Sequence, residues 1–190
     1  IIADPINIMD ASPMGDGSAA LILVPYEDLD SYPQKPVVRV IGSGASTDAL
    51  AIHWREDPLW LKASEYSARQ AYDQAKVNPE DIDLFELHDA FSIMAALSLE
   101  ATGFADRGQA PRLANEGGIL PTGKIPIATR GGLKARGHPV GATGMYQIAE
   151  VVQQLRGEAG GNQIDRARVG MAQNIGGSGS NIITHILQAG

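Results

Sequence analysis

The chain has 190 residues, of which 44% are hydrophobic and 19% charged, and its formal net charge is −7. That is enough for one ordinary globular domain with a sizeable core, and an acidic chain without a basic stripe is a poor nucleic-acid partner. It contains no cysteine, so disulfides, thiolate metal sites and a cysteine nucleophile within this chain are excluded.

In chain order, Asp16-Gly17 precedes the apolar run 18–24, which reads as a buried strand. Pro25 and residues 28–36 form a polar, proline-bearing connection. The β-branched run 37–41 is expected to be a second strand, ended by Gly42-Ser43-Gly44. An amphipathic helix is expected from about Leu59 to Lys76. Leu61, Ala68, Ala71 and Ala75 share a face with Tyr72 beside them, and Asn78-Pro79 stops the helix. Residues 82–85 form a short strand running straight into His88. From Phe91 a helical pattern resumes and ends at Gly103. Residues 104–137 are rich in glycine and proline and read as a long loop, functional or partly structured. A third helix is expected over 141–155, then strands at 169–173 and 181–187. From Val37 onward this is β-α-β-α-loop-α-β-β, an α/β fold with a mixed sheet covered by helices.

No apolar run approaches the roughly 18 residues of a membrane span. The first residues lack the basic and apolar regions of a signal peptide, so a cytoplasmic setting is expected. The chain also lacks an initiator Met, and its first strand lacks an evident partner. Both suggest a missing N-terminal part.

Three motifs carry candidate chemistry. His88, in Glu86-Leu87-His88-Asp89-Ala90-Phe91, follows a strand and precedes a helix, where ligands gather in open α/β sheets. It could donate to an oxyanion or shuttle a proton, or be incidental beside an Asp89 cap. His138 stands in Gly137-His138-Pro139-Val140-Gly141-Ala142-Thr143-Gly144, whose small residues permit tight turns and close approach of a substrate. The exposed amides of the helix start favour developing negative charge; a turn serving only packing is the other reading. Asn174-Ile175-Gly176-Gly177-Ser178-Gly179 joins two strands, as a hairpin or as a backbone cradle for a carbonyl. His53 and His185 read as structural, and no histidine spacing suggests a metal.

Taken together, the motifs at 86–91, 131–144 and 174–179 resemble the C-terminal half of the thiolase superfamily, and Asp16-Gly17-Ser18-Ala19-Ala20 is similar to a strand near the end of its N-terminal half. The resemblance covers nearly the whole chain. It implies a thiolase-like fold, here the C-terminal half of a layered α-β-α-β-α arrangement. Residues 1–30 would be the terminal strand segment of the missing N-terminal half and residues 31–190 the C-terminal domain. It implies an acyl-CoA C-acyltransferase that cleaves or condenses 3-ketoacyl-CoA, with coenzyme A or acyl-CoA as substrate and no covalently bound cofactor. By the family pattern His138 activates a cysteine supplied from outside this chain, and His88 helps hold the thioester oxygen or a water beside it. Asn174, Gly176, Gly137, Gly141 and Phe91 would line the substrate and oxyanion site.

The His-Asp-x-Phe form resembles sterol-carrier-protein-type and archaeal thiolases. Ala90 and Asn174 stand where relatives can carry an acid/base cysteine, which leaves His88, His138 or a water for the substrate α-carbon. The family further implies a homo-oligomer, and its archaeal-type members a small acyl-CoA-binding partner. The alternatives are a thiolase-like aldolase, a decarboxylating condensing enzyme, or a non-catalytic thiolase-fold subunit or scaffold.

Overall fold

The computed structural model describes residues 1–32 and 36–190. Pro33, Gln34 and Lys35, within the expected proline-bearing connection, lie outside the described residues. Four strands form one mixed sheet: β1 (Val38–Thr47), β2 (Leu84–Glu86), β3 (Val169–Gly176) and β4 (Asn181–Ala189), in the spatial order β1-β4-β3-β2. The pairs β1/β4 and β4/β3 are antiparallel, and β3/β2 is parallel. A parallel pair needs a long crossover. Here it carries α2 (Ser92–Ala101), α3 (Ala110–Asn115), α4 (Gly132–Arg136) and α5 (Thr143–Leu155).

Strand periodicity assigns the two faces of the sheet. Val169 and Met171 of β3, Phe85 of β2 and Ile186 of β4 bury against α1 (Lys62–Ala75) and α2, joined by Ala68, Ala71 and Leu99. Ala172, Leu84 and Leu187, one residue out of phase, bury against Val151 and Leu155 of α5. Each fully buried aliphatic side chain contributes about 2 kcal/mol relative to exposure. The sheet is therefore covered on both faces. Asn174 shares the α5 face with Ala172, and Glu86 shares it with Leu84.

The expected helix beginning at Leu59 starts at Lys62 and ends at Ala75, where Lys76 turns left-handed at φ 59°. Gly42-Ser43-Gly44 does not end the first strand: β1 runs through both glycines to Thr47. They serve packing instead. A Cβ on Gly42 would run into the carbonyl of Ala71, and one on Gly44 into that of Ser67, so α1 can lie on β1 only where side chains are missing. Gly44→Val should lower the unfolding free energy by at least about 2 kcal/mol, read as a fall in urea midpoint with an unchanged slope.

The apolar run 18–24 forms no strand among the described residues, and Ile22 and Leu23 are 89% and 79% exposed. Its pattern suits a buried strand, but β1 and β2 bound the sheet and no strand among the described residues pairs with it. The expected long loop is substantially ordered. Residues 126–128 run beside β2, with Phe85 N donating to Pro126 O and Ala128 N to Phe85 O, and α3 and α4 lie within the loop.

Candidate active site

The two motif histidines, 50 positions apart in sequence, meet edge-on. Their ring centroids are 4.9 Å apart and the planes stand at 86°. His88 sits just beyond β2 at the carboxyl end of the parallel pair and is only 5% exposed. His138 lies between α4 and α5 and is half-buried. The N-terminal segment laces their loops together: Ser12 N donates to Ala90 O at 2.8 Å and His138 N to Pro13 O at 2.8 Å. Nothing in the spacing of that segment announced this role.

Asp89 explains how the two loops are held. It does not cap the helix after its own motif, since the N-cap position of α2 is Phe91. Its Oδ1 accepts the Leu133 N–H at 2.8 Å, so a buried carboxylate stands at the start of α4. A Cβ on Gly132 would collide with that carboxylate. α4 then delivers Gly137, at φ 87°, into the His138 turn. Val140, next in the turn, has φ 22°, which is unusual for a β-branched residue.

Asn174 reaches both the His88 ring and α5. Its Nδ2 lies 3.2 Å from His88 Nδ1 and donates to Gln147 Oε1 at 2.9 Å. When His88 Nδ1 accepts, both N–H groups of Asn174 are engaged within the protein. His138 Nδ1 is 2.7 Å from Thr143 Oγ1, the first residue of α5.

The other expected site residues surround this centre less directly. Gly141 is exposed, and a Cβ there would meet nothing within 4 Å. Phe91 is half-exposed, and its backbone bridges to Ala11. Gly176 ends β3 two residues past Asn174 on the same face, and its carbonyl accepts the Ser180 N–H at 3.2 Å. The segment behind it is a hairpin, with Gly177 and Gly179 at φ 60° and 90°. His53 packs edge-on against Trp54, and His185 lies in β4 with a neutral-favouring, half-buried ring.

Burial holds His88 down to about pKa 4, reinforced by the adjacent His138 ring and the Arg136 cation. His138 is lowered as well, first by burial and then by Arg136, with Asp89 opposing. Both rings are therefore neutral at pH 7, one suited to donate and the other to accept a proton.

A third group lies two residues upstream of each histidine. Arg136 Nε pairs with Glu150 Oε1 at 3.0 Å, with side-chain exposures of 17% and 7%. Glu86, buried beside Glu150, is pushed well above the usual carboxylate range by burial and by that neighbouring charge. Glu86 Oε2 and Glu150 Oε2 are both buried without a partner. One proton on Glu86, shared with Glu150, satisfies both oxygens. This clamp ties β2, α4 and α5 together and was missed in the sequence, where Glu86, Arg136 and Glu150 are scattered.

The model of the thiolase C-terminal domain-like family matches residues 44–189. The chain belongs to that family. It is 46% identical to an acetyl-CoA acetyltransferase of Methanothermobacter thermautotrophicus, over 98% of this chain and 48% of that protein. It is 36% identical to human sterol carrier protein 2, over 96% of this chain and 34% of the relative. An Ltp2-ChsH2(DUF35) aldolase structure superposes on all of this chain and 49% of its own with a TM-score of 0.84 at 25% identity. The chain thus spans about half the length, or less, of the relatives it matches. No described helix is long and apolar enough to cross a membrane.

Proposed function

We propose that this thiolase C-terminal domain supplies the base and the oxyanion donor of an acyl-CoA C-acyltransferase whose nucleophilic cysteine comes from outside the chain. The meeting of His88 and His138, both neutral and 4.9 Å apart, carries the reading. Support also comes from the acetyl-CoA acetyltransferase relative, of which this chain matches 48%. The exposed apolar residues of the first segment, Ile22 and Leu23 among them, would be covered by the missing N-terminal half, which we take residues 1–30 to join. Residues 31–190 then form the C-terminal domain.

In thiolysis the cysteine first loses its proton to His138. Nε2 of His138 is free to take it when Nδ1–H donates to Thr143 Oγ1. The thiolate adds to the 3-keto carbonyl, and the bond between the α- and β-carbons breaks. The α-carbon leaves as an enolate and is protonated, giving acetyl-CoA and an acyl-cysteine that carries the shortened chain. The enolate's thioester oxygen carries the developing charge, which a hydrogen bond from His88 stabilises. Coenzyme A then takes the acyl group. Gly137, Gly141, Gly176 and Phe91 would line the approach, with Asn174 holding His88. With no cysteine in the chain, the α-carbon proton falls to a histidine or a water.

We place the enzyme in the cytoplasm as an oligomer that works with a small acyl-CoA-binding partner, as the family pattern implies. A second reading, retro-aldol cleavage without an acyl-enzyme, draws on the likeness to the aldolase. The complete protein is expected to cleave acetoacetyl-CoA when coenzyme A is added. Failure to cleave any 3-ketoacyl-CoA, with turnover of a 3-hydroxyacyl-CoA in its place, would favour the aldolase.

A further inference from the structure

The hydrogen bonds behind His88 can be followed to an end point that fixes the ring's proton. Gln147, in the second turn of α5, is fully buried. Its Nε2 lies 3.3 Å from Glu86 O and 2.9 Å from Gln173 O. Both are backbone carbonyls, which only accept, so the atom facing them must be the amide nitrogen. They sit where the β2/β3 ladder ends, beside the last pair, Glu86 and Ala172. With the nitrogen committed there, Gln147 turns its oxygen toward Asn174, and only a donor can face an oxygen. Asn174 therefore presents Nδ2, at 2.9 Å. Its second N–H points at His88 Nδ1, 3.2 Å away, which must then be an acceptor. A neutral imidazole that accepts at Nδ1 carries its proton on Nε2.

We propose that Gln147 is a positioning residue which, through Asn174, dictates that His88 holds its proton on Nε2 and offers it to a substrate oxygen. The catalytic part rests on the reading of His88 as the oxyanion donor; the tautomer does not. The relay starts from two backbone carbonyls that cannot exchange donor for acceptor, so nothing downstream can flip without leaving a buried amide unpaired. An imidazolium at His88 is disfavoured by the same relay, because its Nδ1–H would face the Asn174 N–H. Gln147, one turn into α5 beyond the glycine-rich motif, carried no signal as a functional residue.

The test is two-bond 1H–15N spectroscopy of histidine-labelled complete protein at pH 7, with the His88 signals assigned by their loss in His88→Asn. The wild type should show His88 protonated at Nε2 alone. Gln147→Met, which leaves Asn174 free to turn, should give mixed tautomers and a kcat about 10-fold lower. Asn174→Asp, whose carboxylate only accepts, should move the proton to Nδ1 and lower kcat about 100-fold. In both, KM should stay within about threefold, because a transition-state interaction is lost. Protonation of His88 at Nδ1 in the wild type would overturn the proposal. So would an unmoved tautomer in Asn174→Asp, a readout that survives even if Gln147→Met fails to fold. Tautomers that shift while kcat stays unchanged would overturn the oxyanion reading and the catalytic part of the proposal with it.

Discussion

Replacing His138 with alanine in the complete protein should lower kcat for thiolysis by about 10²–10⁴-fold, the usual worth of a positioned general base. His138 faces the active centre from a turn held at one end by α4 and at the other by Thr143 at the start of α5. Removing the ring leaves that scaffold in place, so the loss should fall on turnover and not on folding. The pH dependence has a definite sign. A base must be unprotonated, and burial with Arg136 holds His138 below its ordinary value of 6.5. The acid limb of kcat/KM should therefore lie below pH 6.5. Replacing Arg136 with a neutral residue removes a nearby positive charge, and the limb should move up. An acid limb that stayed in place in an Arg136 variant and survived in His138→Ala would assign the base elsewhere.

The second large effect is on stability. Arg136→Ala should cost about 3 kcal/mol or more, because it leaves the buried Glu150 carboxylate without its cation. Replacing both partners with apolar residues of similar volume should cost clearly less than the single change, which a double-mutant cycle would read directly. Glu86 adds a pH dependence of its own. Its folded value is raised above the ordinary carboxylate value. Its contribution is therefore fully present below the unfolded value and is lost as pH rises through the folded one. Glu86→Gln, neutral at every pH, should flatten that part of the profile. Chemical unfolding at several pH values checks both statements.

Much of this was legible in the sequence because it is local. The strand-like runs 169–173 and 181–187 and the helical face of Ala68 and Ala71 announce their elements from residues that lie on the same strand or helix. The two glycine-flanked or aspartate-flanked histidines announce a site in the same way. The failures share one physical cause, that the deciding partner is distant in sequence. Gly42 and Gly44 look like a strand end, yet they are set by the carbonyls of Ala71 and Ser67, 29 and 23 positions away on a helix. Residues 18–24 have the pattern of a buried strand, but a pattern cannot supply the neighbour that a strand needs. Asp89 looks like a cap for the next helix and serves α4 instead. Gln147 reads as one more polar residue on an amphipathic helix until both strand-end carbonyls are seen beneath it. Asn174, expected at the substrate site, also lies within hydrogen-bond distance of His88 and Gln147, which its motif does not announce.

The central claim is that this chain brings the base and the oxyanion donor while the nucleophile lies elsewhere. Peptide mass mapping of the complete protein after brief incubation with acetyl-CoA tests it most directly. One acetyl group is expected, on a cysteine outside these 190 residues, with its formation greatly slowed in His138→Ala. An acetyl group on a side chain of this chain, or thiolysis proceeding with no acyl-enzyme formed, would contradict it.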